Sequence, residues 1–247
     1  MLAKRINMCT VLYLPSNDKI CFASLRDESP TRKSAIRPKL IEGLGVKFLA
    51  PLDPDGGGTW LGTNELGDVI ILLNGGFVKH KHLPKYRKSR GLIVTELLSN
   101  KLPYQQWLKL DLDNIEPFTL VIYSESKLYC MVWDGEQKHE FEINTELPHI
   151  WSSATLYTEE AKHKRSNIFE TWVATKPEIN RETVFEFFSS TKDIENGFFM
   201  NRAEKVKTLS YSFVEYSFGD KVKLTYEDFV DEIWYSAQLD FTNKINI

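Results

Sequence analysis

Cysteine is scarce: the 247 residues hold three, Cys9, Cys21 and Cys130. An odd, low count excludes a disulfide-stapled scaffold and fits a reducing compartment. Long apolar runs are missing as well. None reaches the roughly 18 residues that a bilayer-spanning helix needs, so no integral membrane association is expected. The leader "MLAKRIN" is basic but has no apolar core behind it, unlike a secretory signal. A cytoplasmic location is the expectation. A large excess of one charge is absent too. The net charge of −3 draws the protein to neither nucleic acid nor an acidic surface. No repeat, low-complexity tract or Pro/Gly/Ser-rich linker divides the chain, so residues 9–247 are expected to form one domain behind a leader, 1–8.

What is present is dominated by aromatic and β-branched runs: "CTVLYL", "ICFASL", "DVIILL", "FTLVIY", "LYCMVW", "KTLSYSFVEYSF" and "KVKLTY". Turn residues such as "PSND", "DPDGGG" and "FGDK" separate them, as expected for strands. Two helical blocks intervene, at about 89–112 (broken by Pro103) and 158–191. Thr158 followed by Glu159 and Glu160 reads as a helix start. Strands at both ends around a helical centre predict an α+β fold, with two antiparallel sheets stacked and helices outside.

The first two strands specify their own pairing. A two-residue turn at Asn17 and Asp18 makes opposed positions sum to 35. Cys9 then faces Arg26, Val11 faces Ser24 and Tyr13 faces Phe22. The other face carries Thr10, Leu12 and Leu14 against Leu25, Ala23 and Cys21. A guanidinium beside a thiol favours the thiolate. Two readings stay open on these residues alone. Cys9 is an activated nucleophile, or it is a small buried hydrophobe while Arg26 forms an ion pair with Asp27 or Glu28.

Other stretches carry weaker signals. "KHKHLPKYRKSR" (79–90) supplies Lys79, Lys81, Lys85, Arg87, Lys88 and Arg90, a grip for an anion or a solvated basic loop. His80 and His82 lack a third ligand nearby, so no metal site is assigned. "DPDGGGTW" opens no helix and lacks the Lys-Ser/Thr of a nucleotide loop; it reads as a turn. Trp60, Trp133 and Trp151 read as core or pocket wall. Cys21 and Cys130, in apolar strands, read as inert.

Several motifs together resemble one family: "MCTVLYLPSND", "FASLRDESPTR", "GGGTWLGTNELGDVIILLNGGF", "HKHLPKYRKSRGL", "EPFTLVIY" and "HIWSSATLY". They are similar, in order, to the NRDE family, also called the transport and Golgi organisation 2 family. That family resembles the cysteine branch of the N-terminal nucleophile (Ntn) hydrolases. The resemblance implies a four-layer α-β-β-α sandwich of the Ntn-hydrolase type. It also implies a catalytic set. Cys9 matches the nucleophile, Arg26 and Asp27 match the Arg-Asp pair, and Asn74 matches the oxyanion donor.

Three positions depart from the pattern. Leu25 stands where the family has Asn, Ser153 stands where relatives often have a second Asn, and eight residues precede Cys9. Ser153 is kept in the set because a hydroxyl can donate. The function implied is hydrolysis of a linear amide or thioester through an acyl-enzyme, with no cofactor and a small-molecule acyl substrate as partner. The other reading is a non-catalytic carrier or chaperone for haem or another hydrophobic anion, a lipid-handling role on the same fold.

Overall fold

A computed structural model describes residues 8–191, 193, 196–202 and 205–242, with the backbone only at Met8 and Cys9. The leader, 1–7, and the Cys9 side chain lie outside the described residues. The chain opens with the hairpin β1 (Met8–Pro15) and β2 (Lys19–Glu28). Its turn closes where the Ser16 amide donates to the Lys19 carbonyl at 2.8 Å. The register runs from Met8 opposite Asp27 to Pro15 opposite Ile20, with Cys9 opposite Arg26. This is the pairing that the short turn demands.

Sheet two follows in chain order. It comprises β3 (Ile36–Glu42), β4 (Lys47–Leu52), β5 (Leu61–Asn64), β6 (Val69–Asn74), β7 (Phe118–Ser124), β8 (Lys127–Trp133) and β9 (Lys138–Ile143). Each of its strands pairs antiparallel with the next. Sheet one is assembled from both ends of the chain. To the first hairpin it adds β10 (His149–Ser152), β11 (Asn201–Arg202), β12 (Val206–Ser217), β13 (Lys221–Asp228) and β14 (Ile233–Asp240). Its order is β10-β1-β2-β12-β13-β14, with β11 on the end of β12.

The helices are α1 (Arg90–Leu98), α2 (Pro103–Lys109), α3 (Glu159–Ala174) and α4 (Arg181–Ser189). Pro103 does not merely break the first block; it is the opening residue of α2, where its missing amide costs nothing. Thr158 caps α3 by accepting from the Ala161 amide at 3.2 Å. Asn180 and Thr183 form a reciprocal cap on α4.

Strand alternation then sorts the apolar side chains into two cores. Val11, Tyr13 and Phe22 join one that also holds Ile70 and Leu120 of sheet two, with Leu97 of α1 and Trp107 of α2. Leu12, Leu14, Cys21, Ala23 and Leu25 join another with Phe169 of α3 and Phe187 and Phe188 of α4. Each buried aromatic contributes roughly 1.5–3 kcal/mol. The layers are therefore α-β-β-α, in agreement with the expectation from the motifs.

Candidate functional site

At one end of the sandwich β1 passes close to β6. There the structure encloses a cavity of about 390 Å³. Arg26, Asp27 and Asn74 are among its lining residues. Cys9 is placed by its backbone alone, opposite Arg26 on the neighbouring strand. Arg26 is 5% exposed and sits over the Trp60 ring, its guanidinium carbon 4.4 Å from the ring centroid. It makes no hydrogen bond or ion pair among the described residues. The ion pair to Asp27 or Glu28 left open by the sequence is therefore not formed. Glu28 instead lies 3.7 Å from the Arg32 guanidinium.

Asn74 ends β6, and the chain then turns through Gly75 at φ +86°. Ser153 is not on the cavity wall. It is 1% exposed and sits behind Asn74, donating to its carbonyl at 2.6 Å. A hydroxyl has one proton to give, so in this arrangement Ser153 anchors the Asn74 backbone rather than presenting a donor to a ligand.

Asp27 belongs to the other side of its strand, since alternation places it with Leu25. Its carboxylate accepts from the Thr208 hydroxyl at 2.5 Å. The β2–β12 ladder slips between Thr208 and Ser210, which sets Thr208 directly against Asp27. The second carboxylate oxygen, Oδ2, has no partner among the described residues. Burial pushes the carboxyl up to about 7, against the pull of Thr208 and the charges of Arg165 and Arg202.

Arg165 had no signal in the sequence. It reaches from α3 into the region below the site, 2% exposed. Its guanidinium donates to the Thr10 hydroxyl, to Ser152 Oγ at 3.0 Å and to the Gly197 carbonyl at 2.5 Å. The rings of Tyr157 and Phe198 lie on it at 4.2 and 4.4 Å. It thus ties the residue after Cys9 to β10 and to the segment before β11.

The cavity mouth is built from two loops that the sequence marked only as a turn and a basic run. In the first, Arg32 bonds Asp53 and approaches Glu28. Burial opposes ionisation of Asp53, but the Arg32 bonds outweigh it and lower its pKa. The glycines after Asp53 have a packing reason. A Cβ on Gly58 would lie 2.1 Å from the Gly91 carbonyl carbon, so only glycine lets this loop meet the start of α1.

In the second loop Glu116 gathers three of the basic side chains. His80 Nε2 and His82 Nδ1 lie 3.2 and 2.9 Å from its Oε1, and Arg90 lies 3.1 Å from its Oε2. Burial raises the Glu116 pKa, but Arg90 and the two histidines outweigh it and hold the pKa low. The basic segment is therefore a wall of the cavity, with His82, Lys85, Tyr86 and Lys88 on its lining, and not simply a solvated loop. A lone glutamate in "NIEPF" carries no local pattern that could have announced this.

Among the described residues no group of His, Cys, Asp and Glu has the arrangement to hold a metal ion. Cys21 and Cys130 are poor nucleophiles, because burial pushes their thiols up to about 12 and about 11. No helix among the described residues is long and apolar enough to cross a membrane.

Two antiparallel sheets face to face between helical layers, with Arg26 of the second strand on the wall of a polar cavity, define the sandwich of the Ntn hydrolases. Solved structures of that fold align with it. An N-acylethanolamine-hydrolyzing acid amidase ortholog from Caenorhabditis elegans matches at TM-score 0.59 and 11% identity, over 83% of this chain and 92% of that one. A variant of conjugated bile acid hydrolase from Clostridium perfringens matches at 0.57 and 11%, over 97% and 99%. A second mutant of that hydrolase matches at 0.56 and 11%, over 96% and 97%. The chain belongs to the Transport and Golgi organisation 2 family, whose profile matches residues 8–223. No curated protein matches it.

Proposed function

We propose that the protein hydrolyses a linear amide or thioester through Cys9, acting as an N-terminal nucleophile. The observation that carries this reading is the register that sets the Cys9 backbone opposite Arg26, a residue that lines one cavity together with Asn74. Once Cys9 is the first residue, its α-amine is the general base, with an ordinary pKa of about 7.7–8.0. The amine takes the thiol proton and Sγ bonds to the acyl carbon. The Asn74 amide donates to the oxyanion that forms, a contact worth about 2.7–4 kcal/mol. The tetrahedral intermediate collapses and the C–N or C–S bond breaks. The leaving group departs with the proton held by the amine, and water then cleaves the Cys9 thioester. Arg26 favours the thiolate. The unpartnered Oδ2 of Asp27 accepts from the amine, and Ser153 holds Asn74 in place. The amidase and bile acid hydrolase activities named for the structural neighbours agree with this reaction class.

A second reading has one observation in its favour, the basic wall of the cavity. On it the protein carries a hydrophobic anion, haem among the candidates, without chemistry. Two forms of the chain separate the readings, one begun at Met8 so that methionine removal exposes Cys9, the other with the leader locked on. The hydrolase acquires an acyl mass shift from an activated acyl ester in the first form only, and Cys9→Ala abolishes it. Equal acylation of both forms refutes the amine as base. No acylation in either, with ligand binding that weakens on neutralising Lys79, Lys81 and Lys85, establishes the carrier.

A further inference from the structure

The segment that joins β6 to α1, from Gly75 to Ser89, forms neither helix nor strand. It is nonetheless tied down. His80 and His82 both reach the Glu116 carboxylate. The Arg87 guanidinium meets the Asp111 carboxylate at 2.7 Å and donates to the Asp111 carbonyl at 2.6 Å. The Arg87 amide donates to the Asn114 carbonyl at 2.8 Å, and Lys88 pairs with Glu96. With both imidazoles turned to Glu116, the residues that alternate with them, Lys79, Lys81 and Leu83, are exposed to solvent.

What this anchored loop presents differs from a solvated basic stretch. Val78 is 73% exposed, Leu83 47% and Phe77 45%. Phe77 packs against His139 and Phe141, with ring centroids 4.8 and 6.2 Å away, and Phe141 is itself exposed. Large apolar side chains left in water along one segment mark a contact surface. Between them stand Lys79, Lys81 and Lys85, exposed and with no ion pair among the described residues. A polyanion in water would take the lysines and leave Val78 and Leu83 wet. Neither offers a ring for a nucleic-acid base to stack on. The boundary of an anionic bilayer matches both kinds of side chain. Its headgroup phosphates take the ammonium groups, and its acyl region takes the apolar ends.

We propose that this loop docks the protein on an anionic bilayer, with Phe77, Val78 and Leu83 at the acyl boundary and Lys79, Lys81 and Lys85 among the headgroups. The net charge of −3 gives no attraction for the molecule as a whole, so the attraction is local to the loop and sensitive to salt. The ties to Glu116 and Asp111 hold the loop before it meets lipid, so little conformational freedom is lost on docking. The same segment borders the cavity, since His82, Pro84, Lys85 and Tyr86 line it. Docking therefore turns the cavity mouth toward the lipid, and a ligand with an apolar tail enters from the bilayer. The contact is peripheral and does not depend on any chemistry at Cys9.

Co-sedimentation of the full chain carrying Cys9→Ala with lipid vesicles tests the proposal. The protein should bind vesicles of equal parts phosphatidylglycerol and phosphatidylcholine, and bind pure phosphatidylcholine about tenfold or more weakly. Salt at about 1 M should remove most of that preference. Lys79→Gln with Lys81→Gln, neither of them on the cavity wall, should lower affinity for the mixed vesicles about tenfold. Val78→Ser with Leu83→Ser should lower it about tenfold as well, and should do so at high salt too. Both pairs change exposed side chains, so the melting curves should match the parent. No binding to the mixed vesicles, equal binding to both lipids, or an affinity untouched by either pair overturns the docking face. A chain that responds to the lysine pair but not the serine pair, and binds heparin as tightly as lipid, grips any polyanion and overturns the bilayer as partner. The result is independent of whether the form begun at Met8 acylates, so hydrolysis and docking stand or fall separately.

Discussion

At the scale of single residues, Asp27 shows how much the site depends on the group placed before it. Its carboxyl is raised from 3.8 to about 7 because it is wholly buried with one oxygen unpartnered. Between roughly pH 4 and 7 the folded chain holds a proton that the unfolded chain has lost. The stabilisation this represents is complete below the unfolded pKa and disappears as pH rises through the folded one. The leader-retaining form should therefore melt at a lower temperature at pH 8 than at pH 5. Asp27→Asn, which cannot ionise, should narrow that difference in calorimetric scans. If the proposed hydrolase reading holds, exposing the Cys9 amine should narrow it too, because a cation at Oδ2 draws the pKa down. An unchanged pH slope in Asp27→Asn would assign the dependence to other groups.

Among elements, the approach of α1 to the glycine loop governs the cavity mouth. The Thr59 amide donates to the Gly91 carbonyl at 3.1 Å, and no side chain fits between the two backbones at Gly58. Gly58→Ala should destabilise by about 1–3 kcal/mol through overpacking and push the start of α1 outward. Urea unfolding measures the first effect. Amide exchange at residues 90–93 measures the second, and protection there equal to the parent chain would contradict it.

For the molecule as a unit, the decisive join is between β2 and β12. It pairs Lys19–Glu28 with the strand Val206–Ser217, so the early and late parts of the chain meet in one sheet. Both strands are interior to that sheet and largely buried, while β3, β9 and β14 are edges with exposed residues. Opening the central pair requires unfolding the sandwich. Hydrogen exchange followed by mass spectrometry should find the amides of β2 and β12 among the slowest and those of β9 and β14 among the fastest. Comparable rates across sheet one would mean that its edge strands open only together with the central pair, against this expectation.

Local chemistry specifies the first hairpin to the residue. Its turn is two residues long, and strand alternation leaves no freedom once the turn is set, so Cys9 opposite Arg26 is legible in the order of amino acids. The helix start at Thr158 and the inert character of Cys21 and Cys130 are legible for the same local reasons. The cavity is not. Its donors and clamps come from segments far apart in the chain. Trp60 lies under Arg26, Glu116 draws in His80, His82 and Arg90, Arg165 reaches Thr10, and Thr208 meets Asp27 through a slipped ladder. Such contacts leave no periodic trace, because each depends on where separate strands stop and how two sheets stack. Ser153 shows the same limit. Its position in the motif matches a donor, but the stacking of β10 beside the end of β6 directs its proton to the Asn74 carbonyl.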